Sequence, residues 1–339
     1  MKKRITKLSE PIHFRGWAAV GGYEERRGLL GSKFDFCDES DSFGQKTWEL
    51  AEAEMGRIAL NTSLAKAGLS HSDIDLLVGG DLQNQCVASS TAMSSFGIPF
   101  VGVYGACSTC TESIMTVSAF ISSSQSINTA AAITTSHNLA AERQFRTPIE
   151  YGGQRTPTSQ WTATAAGAFI LARGEGRVNV TEYMAGRIVN GATSDGANMG
   201  GAMAFAAYDT IYSYFNENGK DLTGINAIVT GDLGKVGSDI LRELLSKNVP
   251  GAEELHRDCG LMLYDKNIQD VHSGASGCGT SASVLACHFL PLLREGRLGS
   301  ILFLSTGALM SPSSLLQGEN IYGIAPMIKI EGRMDVESF

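Results

Sequence analysis

Cys107 stands in the string Gly105-Ala106-Cys107-Ser108-Thr109, between a strand-like segment and a helical one. Backbone N–H groups at a helix N-terminus carry partial positive charge, which lowers a thiol pKa and favours the thiolate. The spacing therefore marks Cys107 as a reactive thiol or as part of a pocket wall. A small buried cysteine in a tight turn is the plain alternative. Cys107 and Cys110 also have the CxxC spacing of redox dithiols. A second turn, Ser276-Gly277-Cys278-Gly279-Thr280, has the same character.

The stretch from Ser136 to Arg155 concentrates ionisable groups in a charge-poor chain. His137, Arg143 and Arg146 could cradle a carboxylate, because guanidinium forks match carboxylates bidentately. An ion-pair network with Glu142 and Glu150 is equally open. Asp81, with Asn84 and Gln85, and Asp232, with Lys235, fall just past strand-like segments. In open α/β sheets that edge is where ligands bind, and helix N-capping is the competing role. The six histidines are scattered and only one cysteine pair is closely spaced, so no structural zinc site is expected. Gly277 to Ala282 fits GxGxxA by letter but lacks a clear acidic partner downstream. No Walker A string or GxSxG elbow is present, and no cofactor is expected.

These residues are carried by a repeated frame. Residues 74–82 read Ile-Asp-Leu-Leu-Val-Gly-Gly-Asp-Leu and residues 225–233 read Ile-Asn-Ala-Ile-Val-Thr-Gly-Asp-Leu. The offset is 151 (225 − 74). Helical patterns over about 46–67 and 199–218 precede them. These stop at Gly68 and Gly219, again 151 apart, as C-cap glycines do. Short helices are predicted near 86–96 and 237–248. Strands are predicted at 100–104 and 261–264, 130–135 and 300–305, 162–171 and 322–330. The alternation predicts α/β layers in two halves, 1–175 and 176–339, with the cysteine turns face to face.

Composition agrees. The chain has 39 glycines in 339 residues, where ~24 is usual, and 18% charged residues, where ~25% is usual. Hydrophobic residues at 43% exclude disorder. The net charge of −8 argues against nucleic acid as a partner. No apolar run approaches the ~18–20 residues of a spanning helix. The basic start, Lys2-Lys3-Arg4 with Lys7, lacks the apolar core of a secretory signal. Seven cysteines, an odd number in a large chain, point to reduced thiols and synthesis in the cytosol.

A duplicated α/β chain with Ala106-Cys107-Ser108 at a strand-to-helix turn resembles the thiolase and ketoacyl-synthase superfamily. The resemblance implies five layers (αβαβα), usually in a homodimer, and a cysteine at the Cys107 position that accepts an acyl group from a thioester. A synthase histidine would fall near Gly231 and Asp232, where none is present; Cys278 stands where a partner residue is expected. An Asp232 carboxylate there would repel a thiolate and an acyl oxyanion. Narrower strings run nearly end to end: Leu76 to Gln85, Gly105 to Thr109, Ser136-His137-Asn138, Ala141 to Arg146, Glu150 to Gln154, and Thr306 to Leu309. They look like the stage V sporulation protein AD family. That likeness implies a thiolase-fold protein that binds dipicolinic acid, alone or as the calcium chelate. It would act with membrane proteins of the same sporulation operon, at the forespore inner membrane, to move the ligand into the spore. His137, Arg143 and Arg146 would supply positive charge, with Cys107, Cys278, Asn84 and Asp232 around the old acyl pocket. Acyl transfer through Cys107 is the alternative.

Overall fold

Along each long strand, successive side chains point to opposite faces, and here both faces are covered. The computed structural model describes residues 3–145 and 155–333. The first half contains β1 (Thr6–Gly21), α1 (Trp48–Ala67), β2 (Leu76–Gly80), α2 (Val87–Met93), β3 (Phe100–Gly102), α3 (Thr109–Ser123), β4 (Thr129–Ser136), α4 (Asn138–Phe145) and β5 (Ala165–Arg173). The second contains β6 (Val178–Met184), α5 (Met199–Glu217), β7 (Ala227–Thr230), α6 (Gly234–Asn248), β8 (His256–Asp258), α7 (Cys278–Val284), β9 (Ser300–Leu304) and β10 (Met327–Gly332).

Strand order is β3-β2-β4-β5-β1 in the first half and β8-β7-β9-β10-β6 in the second. The two orders are the same order. In each, the three outer strands are parallel and the next two alternate in direction. Leu76 and Ala227, which open β2 and β7, keep the offset of 151. The sheets join edge to edge where Ile12 and His13 of β1 face Val180 and Asn179 of β6.

Three apolar clusters define the layers. On the outer face of the first sheet, Leu77, Ile133, Ala168 and Ile170 pack against Met55, Leu60 and Leu64 of α1. On the outer face of the second, Ile228, Leu302 and Leu304 pack against Met203, Ile211 and Phe215 of α5 and Leu241 of α6. Between the sheets, Phe169, Leu171, Val229, Phe303 and Ile330 enclose Ile114 and Val117 of α3 and Ala282 of α7. This is the five-layer αβαβα arrangement. Gly167 lets the middle layer close: a Cβ there would stand 2.7 Å from the Ala282 backbone.

The helix ends follow local chemistry. Thr47 accepts from the Leu50 N–H at 3.3 Å, and Gly68 stops α1 with φ of 67°. Asn198 caps α5, and Gly219 follows it with φ of 68°. The strand expected at 261–264 is displaced: β8 lies at His256–Asp258 and Cys259–Met262 is a helical turn. The apolar run Leu261 to Tyr264 suggested a buried strand. The true strand is a polar sheet edge, where charged side chains are favoured. No helix among the described residues is long and apolar enough to cross a membrane.

Candidate functional site

The C-terminal ends of β2 and β7 lead directly to Asp81 and to Gly231-Asp232. Between them the two cysteine turns meet. Ala106, at φ of 54°, takes the left-handed conformation that non-glycine residues rarely adopt. It holds Cys107 at the tip of the turn that opens α3. Cys278 opens α7 from the other half. Cys107, Cys278, Leu82 and Ala141 pack together, with Phe145 against them.

Asp232 is fully enclosed. Its carboxylate accepts from the Gly277 N–H (2.9 Å), the Thr306 hydroxyl (2.9 Å) and the Ser276 hydroxyl (3.2 Å), and the Cys107 thiol lies within its field. Burial lifts its pKa to about 6. Burial, then the Asp232 charge, push the Cys107 thiol well above its ordinary range. This corrects the expectation of a helix-activated thiolate. The dipole effect is real, but desolvation and a carboxylate outweigh it. The Cys278 thiol donates to the Thr135 carbonyl at 3.0 Å and is likewise raised, first by burial and then by Cys107. Cys110 turns instead into the middle layer, where burial raises it to about 12. All seven cysteines are free thiols, and the two of the CxxC face different surroundings.

Behind this turn lies a buried acid pair, Asp81 and Glu52. Asp81 accepts from the Gln83 N–H (2.8 Å), the Ser89 N–H (2.8 Å) and the Ser89 hydroxyl (2.6 Å). Glu52 of α1 accepts from Gln83 Nε2 (2.5 Å) and Thr135 Oγ1 (2.9 Å). Burial, then repulsion by Asp81, lift Glu52 to about 8. Lys235 pairs with Asp239 of its own helix.

In front of Ala106 a cavity of about 330 Å³ opens. Leu82, Tyr104 and Phe145 line one side, and residues 308–311 with Ser314 line the other. Gln144 fastens α4 to the loop after β2, accepting from the Asn84 N–H (2.9 Å) and donating to the Leu82 carbonyl (2.9 Å). Asn84 Oδ1 accepts from the Tyr104 hydroxyl at 3.2 Å, which puts Asn84 at the rim. Gly307 brings the opposite wall close, since a Cβ there would stand 2.6 Å from the Gly105 carbonyl.

The structure thus brings together Cys107, Cys278 and Asp232, with Asn84 nearby. His137 lies elsewhere. Its ring packs on Trp48 at 5.4 Å, Nε2 meets the Asp41 carbonyl at 2.9 Å, and burial lowers its pKa, which favours the neutral ring. Arg143 forms an ion pair with Glu49, and Glu142 accepts from the Thr162 hydroxyl. Arg146 and Glu150 fall outside the described residues. Sequence reasoning missed Glu52, Thr306 as the partner of Asp232, and the wall at 308–314. The first carried no signal beyond an acid within an apolar helix.

A repeated five-layer α/β frame with paired cysteine turns at the strand ends defines a thiolase-like protein. Solved structures share it: 3-oxoacyl-[acyl-carrier-protein] synthase III from Aquifex aeolicus VF5 is 12% identical with a TM-score of 0.58, over 94% of this chain and 99% of that one. A single-substitution variant of OleA from Xanthomonas campestris is 14% identical with a TM-score of 0.61, over 96% of this chain and 100% of that one. The profile of the family "Stage V sporulation protein AD" matches residues 2–331, and the chain belongs to that family of sporulation proteins. It is 38% identical to stage V sporulation protein AD of Bacillus subtilis (strain 168) over 329 residues, 97% of each chain.

Two outcomes follow from the buried acids. Asp232→Asn removes the charge that holds Cys107 protonated, so alkylation of Cys107 by iodoacetamide at pH 8, read by peptide mass, should accelerate several-fold; an unchanged or slower rate contradicts the assignment. Glu52 binds its proton more tightly in the folded state than in the unfolded chain. Its stabilising contribution is therefore present below about pH 4.5 and lost as pH rises through about 8. The denaturation midpoint of Glu52→Gln should fall less than that of the parent between pH 5 and pH 8.5. Parallel profiles would contradict this.

Proposed function

We propose that the chain binds dipicolinic acid, alone or as its calcium chelate, in the cavity before Cys107 and supports its uptake into the developing spore without acyl transfer. The observation that carries the reading is the clamped Asp232 carboxylate beside Cys107. A thiolase-fold nucleophile must become a thiolate and then tolerate an oxyanion, and a buried carboxylate opposes both. A binding pocket needs no thiolate at Cys107, and Asp232 is not among the residues that line the cavity, so its carboxylate does not face the ligand. The volume of about 330 Å³ lies at the small end of the ~300–1,000 Å³ range of small-molecule sites. Leu82, Phe145 and Met310 offer apolar walls to a flat ring, and the hydroxyls of Tyr104, Ser311 and Ser314 offer polar contacts.

A dianion in a chain of net charge −8 needs local cations. In this reading Arg146, which follows the cavity-lining Phe145 in sequence, is the principal one. Arg143 contributes less, because Glu49 already offsets its charge. His137 orders the start of α4 as a neutral ring instead of binding ligand. Cys107, Cys278 and Asp232 back the pocket, and Asn84 with Tyr104 forms its rim. In this reading the protein works at the forespore inner membrane, as a homodimer docked on membrane proteins of its operon; membership of a sporulation family supports the association with the spore.

Calorimetric titration with dipicolinate tests this. Saturable binding is expected. Arg146→Ala should weaken it by ~1.5–3 kcal/mol, as for loss of a charge-assisted pair, and Arg143→Ala by less. No saturable binding would overturn the function, and full affinity in both variants would overturn the cationic cradle.

A further inference from the structure

A second recess lies away from the cavity before Cys107, by the middle of β1 and the last turn of α1. In β1, Phe14 pairs with Leu171 and Gly16 with Ile170, so Arg15 is the extra residue of a β-bulge. A bulge re-aims a side chain and is common beside functional sites. Gly16 lets α1 press onto the bulge: a Cβ there would stand 2.5 Å from the Ser63 carbonyl. The recess has a volume of about 90 Å³. Its walls are four cations, Arg15, Lys66, Arg177 and Arg294, over a floor that includes Phe14 and Trp17.

The four cations come from four places: the bulge of β1, the last turn of α1, the residue before β6, and the end of the helix Leu290–Arg294. Such convergence is not a consequence of composition, since the chain has 27 basic residues against 35 acidic ones. No carboxylate lines the recess among the described residues. Asp35 pairs with Lys66 at 2.8 Å from outside it, and Asp73 lies within the field of Arg15. The Arg294 guanidinium sits 5.0 Å from the centre of the Trp17 ring, which fixes it over the floor.

We propose that this recess binds one phosphate group. Arginine forks match phosphate oxygens bidentately, and about 90 Å³ suits a single tetrahedral oxyanion while falling well short of the ~300 Å³ of an organic-ligand pocket. The phosphate belongs either to a small soluble molecule or to a lipid headgroup. This recess shares no residue with the cavity before Cys107, so phosphate binding here does not depend on dipicolinate binding there.

The test uses the full chain. Inorganic phosphate is titrated by calorimetry and by tryptophan fluorescence, because an anion that draws on Arg294 changes the surroundings of Trp17. In parallel, the protein is sedimented with equimolar phosphatidylglycerol–phosphatidylethanolamine vesicles and with phosphatidylcholine vesicles. Saturable phosphate binding, weakened at least tenfold in Arg15→Gln/Arg294→Gln, supports the site with a soluble ligand. Sedimentation with the phosphatidylglycerol vesicles alone, lost in the same variant, supports it with a lipid headgroup. The exposed Arg15→Gln single variant gives the same comparison should the double variant not fold. No binding in either arm, or binding unchanged by the substitutions, overturns the proposal.

Discussion

Two helices are sandwiched between two sheets, and the one from the second half, α7, has no solvent face; that constraint governs the rest of the molecule. Every residue of α7 from Cys278 to Val284 is buried. Charge is excluded there, and bulk is limited by the neighbouring strands, so small residues fill the layer. Their hydroxyls must be satisfied internally. Thr280 donates to the Ser276 carbonyl at 2.6 Å. Thr111 of α3, Ser305 after β9 and Ser281 of α7 form a continuous chain with links of 2.9 and 3.1 Å. The scarcity of charge in the sequence is what such a middle layer requires.

The same layer sets the chemistry of the site. Because α3 and α7 start at the same end of the sandwich, Cys107 and Cys278 are held together out of water. Low dielectric amplifies whatever charge stands beside them. In this chain that charge is Asp232, held by donors from two places, the Ser276-Gly277 turn and Thr306. A fold that elsewhere carries acyl-transfer enzymes is here supplied with a group that keeps its thiol neutral. The cavity before that turn remains, with a volume of about 330 Å³.

The repeat was legible because each half must satisfy the same local rules. Gly-Asp-Leu after a buried strand, and a C-cap glycine before it, recur at a fixed offset and survive as the start and end of real elements. The Cys107–Cys278 meeting followed from that symmetry. That an Asp232 carboxylate would repel a thiolate at Cys107 came from the resemblance to the superfamily; its position past a strand end offered only a ligand edge or a helix cap. What was not legible depended on distant partners. Glu52 reaches Thr135 and Gln83 only after α1 docks on the first sheet. His137 sits in a string rich in ionisable groups, yet its ring is packed on Trp48, and neighbours in sequence do not reveal which way a ring turns. The polar edge strand β8 escaped because its side chains answer to Thr230 and the start of α6, not to an apolar pattern.

The central claim is that the cavity before Cys107 is a binding pocket and that Cys107 does not form acyl-enzyme. Intact-mass measurement after incubation with a saturated acyl-thioester such as acetyl-coenzyme A addresses it directly. The account predicts unmodified protein at neutral pH. A stoichiometric acyl adduct that disappears in Cys107→Ser would contradict it.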